Sequence, residues 1–136
     1  MSTREKPLVL LLDDEEIFLE IAATKLRDGG LETVLAKDVR DALVKAELLL
    51  PDLVLSDIFM PPGPNGIEFA LELRRNPKTR GLKIAFFTSL RDPWLEFQRE
   101  RRAAVIAELG PVTFLSKVDD VEVLVDKVGK LVGREK

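Results

Sequence analysis

Five side chains carry the chemistry this sequence offers: Asp13, Asp14, Asp57, Thr88 and Lys117. Three carboxylates brought to one place cannot all stay ionised without a cation. The chain has no histidine and no cysteine, so metal chemistry must run on oxygen ligands. That points to a hard cation such as Mg²⁺, which takes one or two carboxylates and fills its shell with water or substrate oxygens. An added phosphoryl group would need its own charge met. Lys117 can pair with it, and the Thr88 hydroxyl can donate a hydrogen bond. These parts suit phosphoryl transfer, where positioning and charge neutralisation do most of the work. With neither histidine, cysteine nor an activated serine to replace it, the nucleophile must be a carboxylate. Asp57 is the best candidate, because it leads into the turn MPPG, whose backbone can bring a carbonyl to the metal.

Each residue also has a plain reading. Asp57 can simply end a strand. Asp13 and Asp14 can be acids favoured near a helix start. Thr88 can be a turn residue and Lys117 a solvated one. The case for a site rests on the set, and so on the elements that gather it. Leu8–Leu12 is an aliphatic run, as in a strand covered on both faces. Residues 15–28 read as a helix, with Ile17, Ile21 and Leu26 among its apolar positions, stopped by Gly29-Gly30. A strand over 31–36 precedes a helix over 38–49, with Val39, Ala42, Leu43 and Ala46 inward. A third strand over 52–56 leads to the turn-rich MPPGPNG. A helix over 66–75 carries Ile67, Phe69, Ala70 and Leu73, and a strand over 82–87 follows. Asp92-Pro93 predicts a helix start, and that helix should reach about Leu109 with Gly110 beyond it. A fifth strand over 112–115 precedes a helix from Asp119 or Asp120. Its inner stripe is Val121, Leu124, Val125, Val128, Leu131 and Val132.

Strands alternating with helices predict an α/β fold, a parallel sheet covered on both faces. Function in such sheets collects at the carboxyl ends of the strands. Asp13-Asp14, Asp57, Thr88-Ser89 and Lys117 all fall at such ends. Glu15 and Glu16 read instead as the first turn of a helix, where the dipole favours acids.

The 136 residues make one domain with room for a core. The apolar fraction of 46% and charged fraction of 33% are those of a globular protein. A formal charge of −3 gives no broad reason to bind nucleic acid directly. No segment resembles a signal peptide or approaches a membrane span, so a cytoplasmic location is expected.

In DD after the first strand, DIFMP after the third, T-S after the fourth and K after the fifth, the sequence resembles the receiver domain of two-component response regulators. The likeness covers about residues 7–133, so residues 1–136 are expected to form a single stand-alone receiver. It implies a flavodoxin-like (βα)5 fold with strand order 2-1-3-4-5. It implies that Asp57 accepts a phosphoryl group from a phosphohistidine of a partner kinase or phosphotransfer protein. Asp14, Asp57 and the Phe59 carbonyl would bind Mg²⁺ directly, and Asp13 through water. Thr88 and Lys117 would contact the phosphoryl group, and Phe114 would change rotamer with Thr88 as a switch. The protein would catalyse only its own phosphorylation and dephosphorylation.

Three departures stand out. Val118 follows Lys117 where the family has proline after a cis bond, which without proline costs about 3 kcal/mol; a trans bond or reshaped loop is expected. The interval from Thr88 to Lys117 is longer than usual by about two helical turns. Trp94 and Phe97 there read as partner contacts or as inward-packed residues, with Arg99, Arg101 and Arg102 a basic patch or simply solvated. Inward packing and an unusual output surface are expected. Phe59 and Leu90, two residues beyond Asp57 and Thr88, are bulky where receivers flank the path of attacking water, which implies slow autodephosphorylation. Output is expected through a protein partner on the face of the fourth and fifth helices, and the resemblance admits a homodimer. The alternatives are a phosphorylation-independent interaction module or a receiver fragment of a larger regulator. A flavoprotein would want a Ser/Thr/Gly-rich loop where DDEE stands, and an aspartyl phosphatase a D-x-D.

Overall fold

The computed structural model describes residues 5–58, 60, 65–88, 99–116 and 120–133. Strands β1 (Leu8–Leu12), β2 (Glu32–Ala36), β3 (Leu53–Asp57), β4 (Ile84–Thr88) and β5 (Thr113–Ser116) alternate with helices α1 (Glu16–Asp28), α2 (Val39–Leu49), α3 (Asn65–Arg75), α4 (Arg99–Leu109) and α5 (Val121–Leu131). All strand pairs are parallel, in the order β2-β1-β3-β4-β5. The expected flavodoxin-like sheet is therefore observed.

Period-2 alternation divides the core into two layers. Leu10 and Leu12 of β1, Val54 of β3 and Phe86 of β4 face α2, α3 and α4, meeting Ala42, Ala46, Ile67, Phe69, Leu73 and Val105. Val9, Leu11, Leu53, Leu55, Ala85 and Phe87 face α1 and α5, meeting Leu19, Ala22, Ala23, Leu26, Leu124 and Val128. All five residues of β1 and of β3 are buried, as aliphatic runs covered on both faces require.

Some boundaries and faces differ from expectation. The third strand starts at Leu53, because Asp52 turns its carboxylate to the Leu8 amide at 2.8 Å. The fourth starts at Ile84, after a turn in which the buried Thr79 hydroxyl donates to the Leu73 carbonyl at 2.8 Å. In α1 the inward stripe is Leu19, Ala22, Ala23 and Leu26, while Ile17 and Ile21 lie exposed. Asp38 caps α2 through the Asp41 amide at 2.8 Å. Leu50 ends that helix at φ +47°, a left-handed conformation that costs a non-glycine residue about 1 kcal/mol. α4 ends at Leu109 with Gly110 at φ +69°, as expected. The predicted helix start at Asp92-Pro93, with Trp94 and Phe97, lies outside the described residues, as does Val118.

Two arginines tie α3 to the end of α4. The Arg74 guanidinium donates to the carbonyls of Arg80 (2.9 Å), Leu82 (2.7 Å) and Leu109 (2.8 Å), and burial lowers its pKa. Arg75 grips Glu108 with two hydrogen bonds and holds that carboxyl below the ordinary glutamate range. Arg74→Ala would leave three carbonyls short of a charged donor. It should lower unfolding free energy by about 2 kcal/mol, read from urea unfolding. Arg74→Lys should restore little, because one ammonium cannot reproduce the planar fork. No helix among the described residues is long and apolar enough to cross a membrane.

Candidate functional site

The carboxyl edge of the sheet brings three acids together. Asp13 follows the last residue of β1, where its amide donates to the Ala36 carbonyl at 3.2 Å and so remains tied to β2. Asp57 is the last residue of β3, beside Phe87 of β4. One carboxylate oxygen from each of Asp13, Asp14 and Asp57 lies within 4.8 Å of the other two. Asp13 is fully buried and Asp57 nearly so, while Asp14 is exposed. The cluster therefore joins two buried acids to one that faces solvent.

Local hydrogen bonds orient the two buried carboxylates. Asp13 Oδ1 accepts from the Glu15 amide at 3.1 Å, a turn that leads into α1. Asp57 Oδ1 accepts from the Ile58 amide at 2.8 Å. Three all-oxygen donors, two of them out of water, suit a hard divalent cation and would tolerate each other best with one present. The donor set therefore fits Mg²⁺.

Two residues that the sequence reading did not single out hold the two successive peptides after Asp57. Ser56 is fully buried, and its hydroxyl donates to the Asp57 carbonyl at 2.8 Å. Gly66, in the first turn of α3, donates its amide to the Ile58 carbonyl at 3.0 Å. Its α-carbon lies so close that a β-carbon would sit on the Asp57 carbonyl oxygen and 2.8 Å from Ile58 Cα. The Asp57–Ile58 peptide is thus clamped at its carbonyl while its amide holds the Asp57 carboxylate. The available signal for Ser56 was a polar residue inside an otherwise apolar strand. For Gly66 it was Asn65-Gly66 closing the turn-rich segment.

The other expected site residues are placed as follows. Thr88 ends β4 in register with Ser116 of β5, so its backbone stands at the same edge as Asp57. Phe114 is half-buried and stacks on Phe86, ring centroids 5.6 Å apart at 25°. Phe59, Leu90 and Lys117 lie outside the described residues. Glu16 begins α1 and Glu15 precedes it as its N-cap, consistent with acids that serve the helix.

The response regulator receiver domain family matches residues 9–129. The chain is 32% identical over 81 residues to the phosphate regulon transcriptional regulatory protein PhoB of Escherichia coli, a match covering 60% of this chain and 35% of that protein. It is 36% identical over 67 residues to the alkaline phosphatase synthesis transcriptional regulatory protein PhoP of Bacillus subtilis, covering 49% of this chain and 28% of that one. The chain thus spans about a third of the length of the curated relatives it matches. Among solved structures, the chemotaxis response regulator CheY4 of Vibrio cholerae superimposes with a TM-score of 0.77 at 25% identity, covering 93% of this chain and 98% of that one.

Proposed function

The chain belongs to the response regulator receiver domain family of two-component signalling, and on that footing we propose that Asp57 is a phosphoacceptor. Residues 7–133 would act as one receiver. The carrying observation is that Asp57 lies at a strand end with Asp13 and Asp14, all three within 4.8 Å. An Asp57 carboxylate oxygen attacks the phosphorus of a phosphohistidine on a partner kinase or phosphotransfer protein. The new P–O bond forms as the P–N bond breaks, and the imidazole leaves with a proton taken from water. Asp13, Asp14, Asp57 and the Phe59 carbonyl are the groups that would hold Mg²⁺, whose charge would offset that of the transferring group. The Ile58 amide and the Ser56 and Gly66 clamp fix the Asp57 carboxylate before attack.

Thr88 and Lys117 would contact the bound phosphoryl group. A shift of Thr88 toward it would let Phe114 change rotamer and leave Phe86. That would alter the face of α4, β5 and α5 for a protein partner or a second copy. The protein would act on no substrate but itself, in the cytoplasm. Its bulky Phe59 and Leu90 would slow attack by water.

Incubation with acetyl phosphate and Mg²⁺, followed by intact mass, tests this. Wild type should gain one phosphoryl group and hold it for minutes or longer, while Asp57→Asn should gain none. A wild type that gains nothing would favour an interaction module that works without phosphorylation, a reading motivated by Val118 after Lys117.

A further inference from the structure

α2 presents an apolar face to solvent that nothing in the acidic site uses. Ala42 and Ala46 are buried against the sheet. On the opposite side Val44 is 53% exposed and Leu48 76%, followed by Leu49 and Leu50, also exposed. Leu50 holds its left-handed conformation where glycine is the usual residue. An outlier of this kind is a pointer to function, and here it adds an aliphatic side chain to the same exposed end.

The charges beside these residues indicate what covers them. Arg40 and Glu47 are two turns apart, on one flank of Val44 and Leu48. Arg40 is exposed and makes no ion pair among the described residues. Glu47 accepts from Asn76 at 2.8 Å and lies 3.4 Å from the Lys78 ammonium, and the Asn76 hydrogen bond, with Lys78 after it, holds its pKa down. On the other flank Asp41 pairs with Lys45 at 2.8 Å. A two-fold axis between antiparallel helices sets each flank against itself with its direction reversed. Arg40 of each copy then meets Glu47 of the other, Asp41 lies toward Lys45, Val44 sits near the axis beside its counterpart, and Leu48 lies at either end over the partner's first turn. The face is complementary to itself in charge as well as in polarity.

We propose that α2 is an isologous homodimer contact, formed by Arg40, Val44, Glu47 and Leu48 and separate from the α4 and α5 face. One helix of 11 residues makes a small interface, at or below the ~1,200 Å² lower bound of stable complexes. The dimer is therefore weak and concentration-dependent. The flanking ion pairs set its register more than its strength.

Analytical ultracentrifugation of the 136-residue chain, without a phosphoryl donor, tests this from about 10 μM to about 1 mM, the range of weak association. The average mass of wild type should climb toward that of a dimer. Val44→Glu and Leu48→Glu should stay monomeric with unchanged circular dichroism, since both side chains already lie in water. Arg40→Glu should weaken association about tenfold, and Arg40→Glu with Glu47→Arg should recover it. A wild type that is monomeric throughout would overturn the proposal and leave a foreign apolar helix as the occupant. Association that survives Leu48→Glu would overturn it too, by placing the contact elsewhere.

Discussion

Saturating Mg²⁺ is expected to raise the melting temperature of the wild-type protein by about 10 °C, and Asp57→Asn to remove that response. Three carboxylates within 4.8 Å repel one another. At an effective dielectric of about 20, each close pair costs on the order of 3 kcal/mol before neighbouring groups offset it. A cation that binds only the folded arrangement stabilises it by RT ln(1 + [L]/Kd), about 2.7 kcal/mol at a hundredfold excess over Kd. For a domain of this size that is about 10 °C. Asp57→Asn deletes one charge and one ligand together. The variant should therefore melt a few degrees higher than wild type in EDTA, yet respond little when Mg²⁺ is added. Asp13→Asn should behave likewise. Thermal melts with and without about 10 mM Mg²⁺, well above a sub-millimolar Kd, check both signs. A wild type indifferent to Mg²⁺, or an Asp57→Asn protein less stable than wild type in EDTA, would show that the acids are not held together at their own expense.

Gly66→Ala should cost more than about 3 kcal/mol, at the severe end of overpacking substitutions. The added β-carbon meets the Asp57 carbonyl oxygen and Ile58 Cα, and these are backbone atoms that cannot rotate aside. Either the start of α3 or the end of β3 must move. Moving β3 displaces the peptide whose amide holds Asp57 Oδ1. The surviving folded fraction should therefore take up phosphoryl groups at least about tenfold more slowly, the penalty for a misplaced reacting group. Gly81→Ala is the matched control. Nothing lies within 4 Å of a β-carbon there, so it should be neutral or slightly stabilising. Urea midpoints for the two variants measure the contrast, and equal midpoints would dispose of the clamp.

The acidic cluster was legible in the sequence because topology does the gathering. Fully buried runs such as LVLLL announce strands, and parallel strands put their carboxyl ends on one edge. An acid at each end must then meet the others. The fold followed from the same runs and from the regular spacing of helical stripes. The face of α1 was harder to read. Ile17 and Ile21 carry more apolar surface than Ala22 and Ala23, yet the alanines are buried because small residues let the helix approach the sheet closely. Hydrophobicity alone therefore points to the wrong stripe in α1, whereas in α2 the expected inward positions Val39, Ala42, Leu43 and Ala46 do pack into the core. The Ser56 and Gly66 clamp and the Arg74 carbonyl contacts depend on how α3 meets β3 and α4. No local pattern records that approach, so the sequence pointed to the acidic cluster without revealing what holds Asp57 in place.

The most direct measurement is the location of the phosphoryl group. After treatment with acetyl phosphate and Mg²⁺, an aspartyl phosphate is reduced by borohydride to homoserine, which marks the phosphorylated residue in a peptide map. Homoserine at position 57, absent when Mg²⁺ is withheld, is the predicted result. Homoserine at position 13 or 14, or none at any position, would contradict the assignment of Asp57 as the phosphoacceptor.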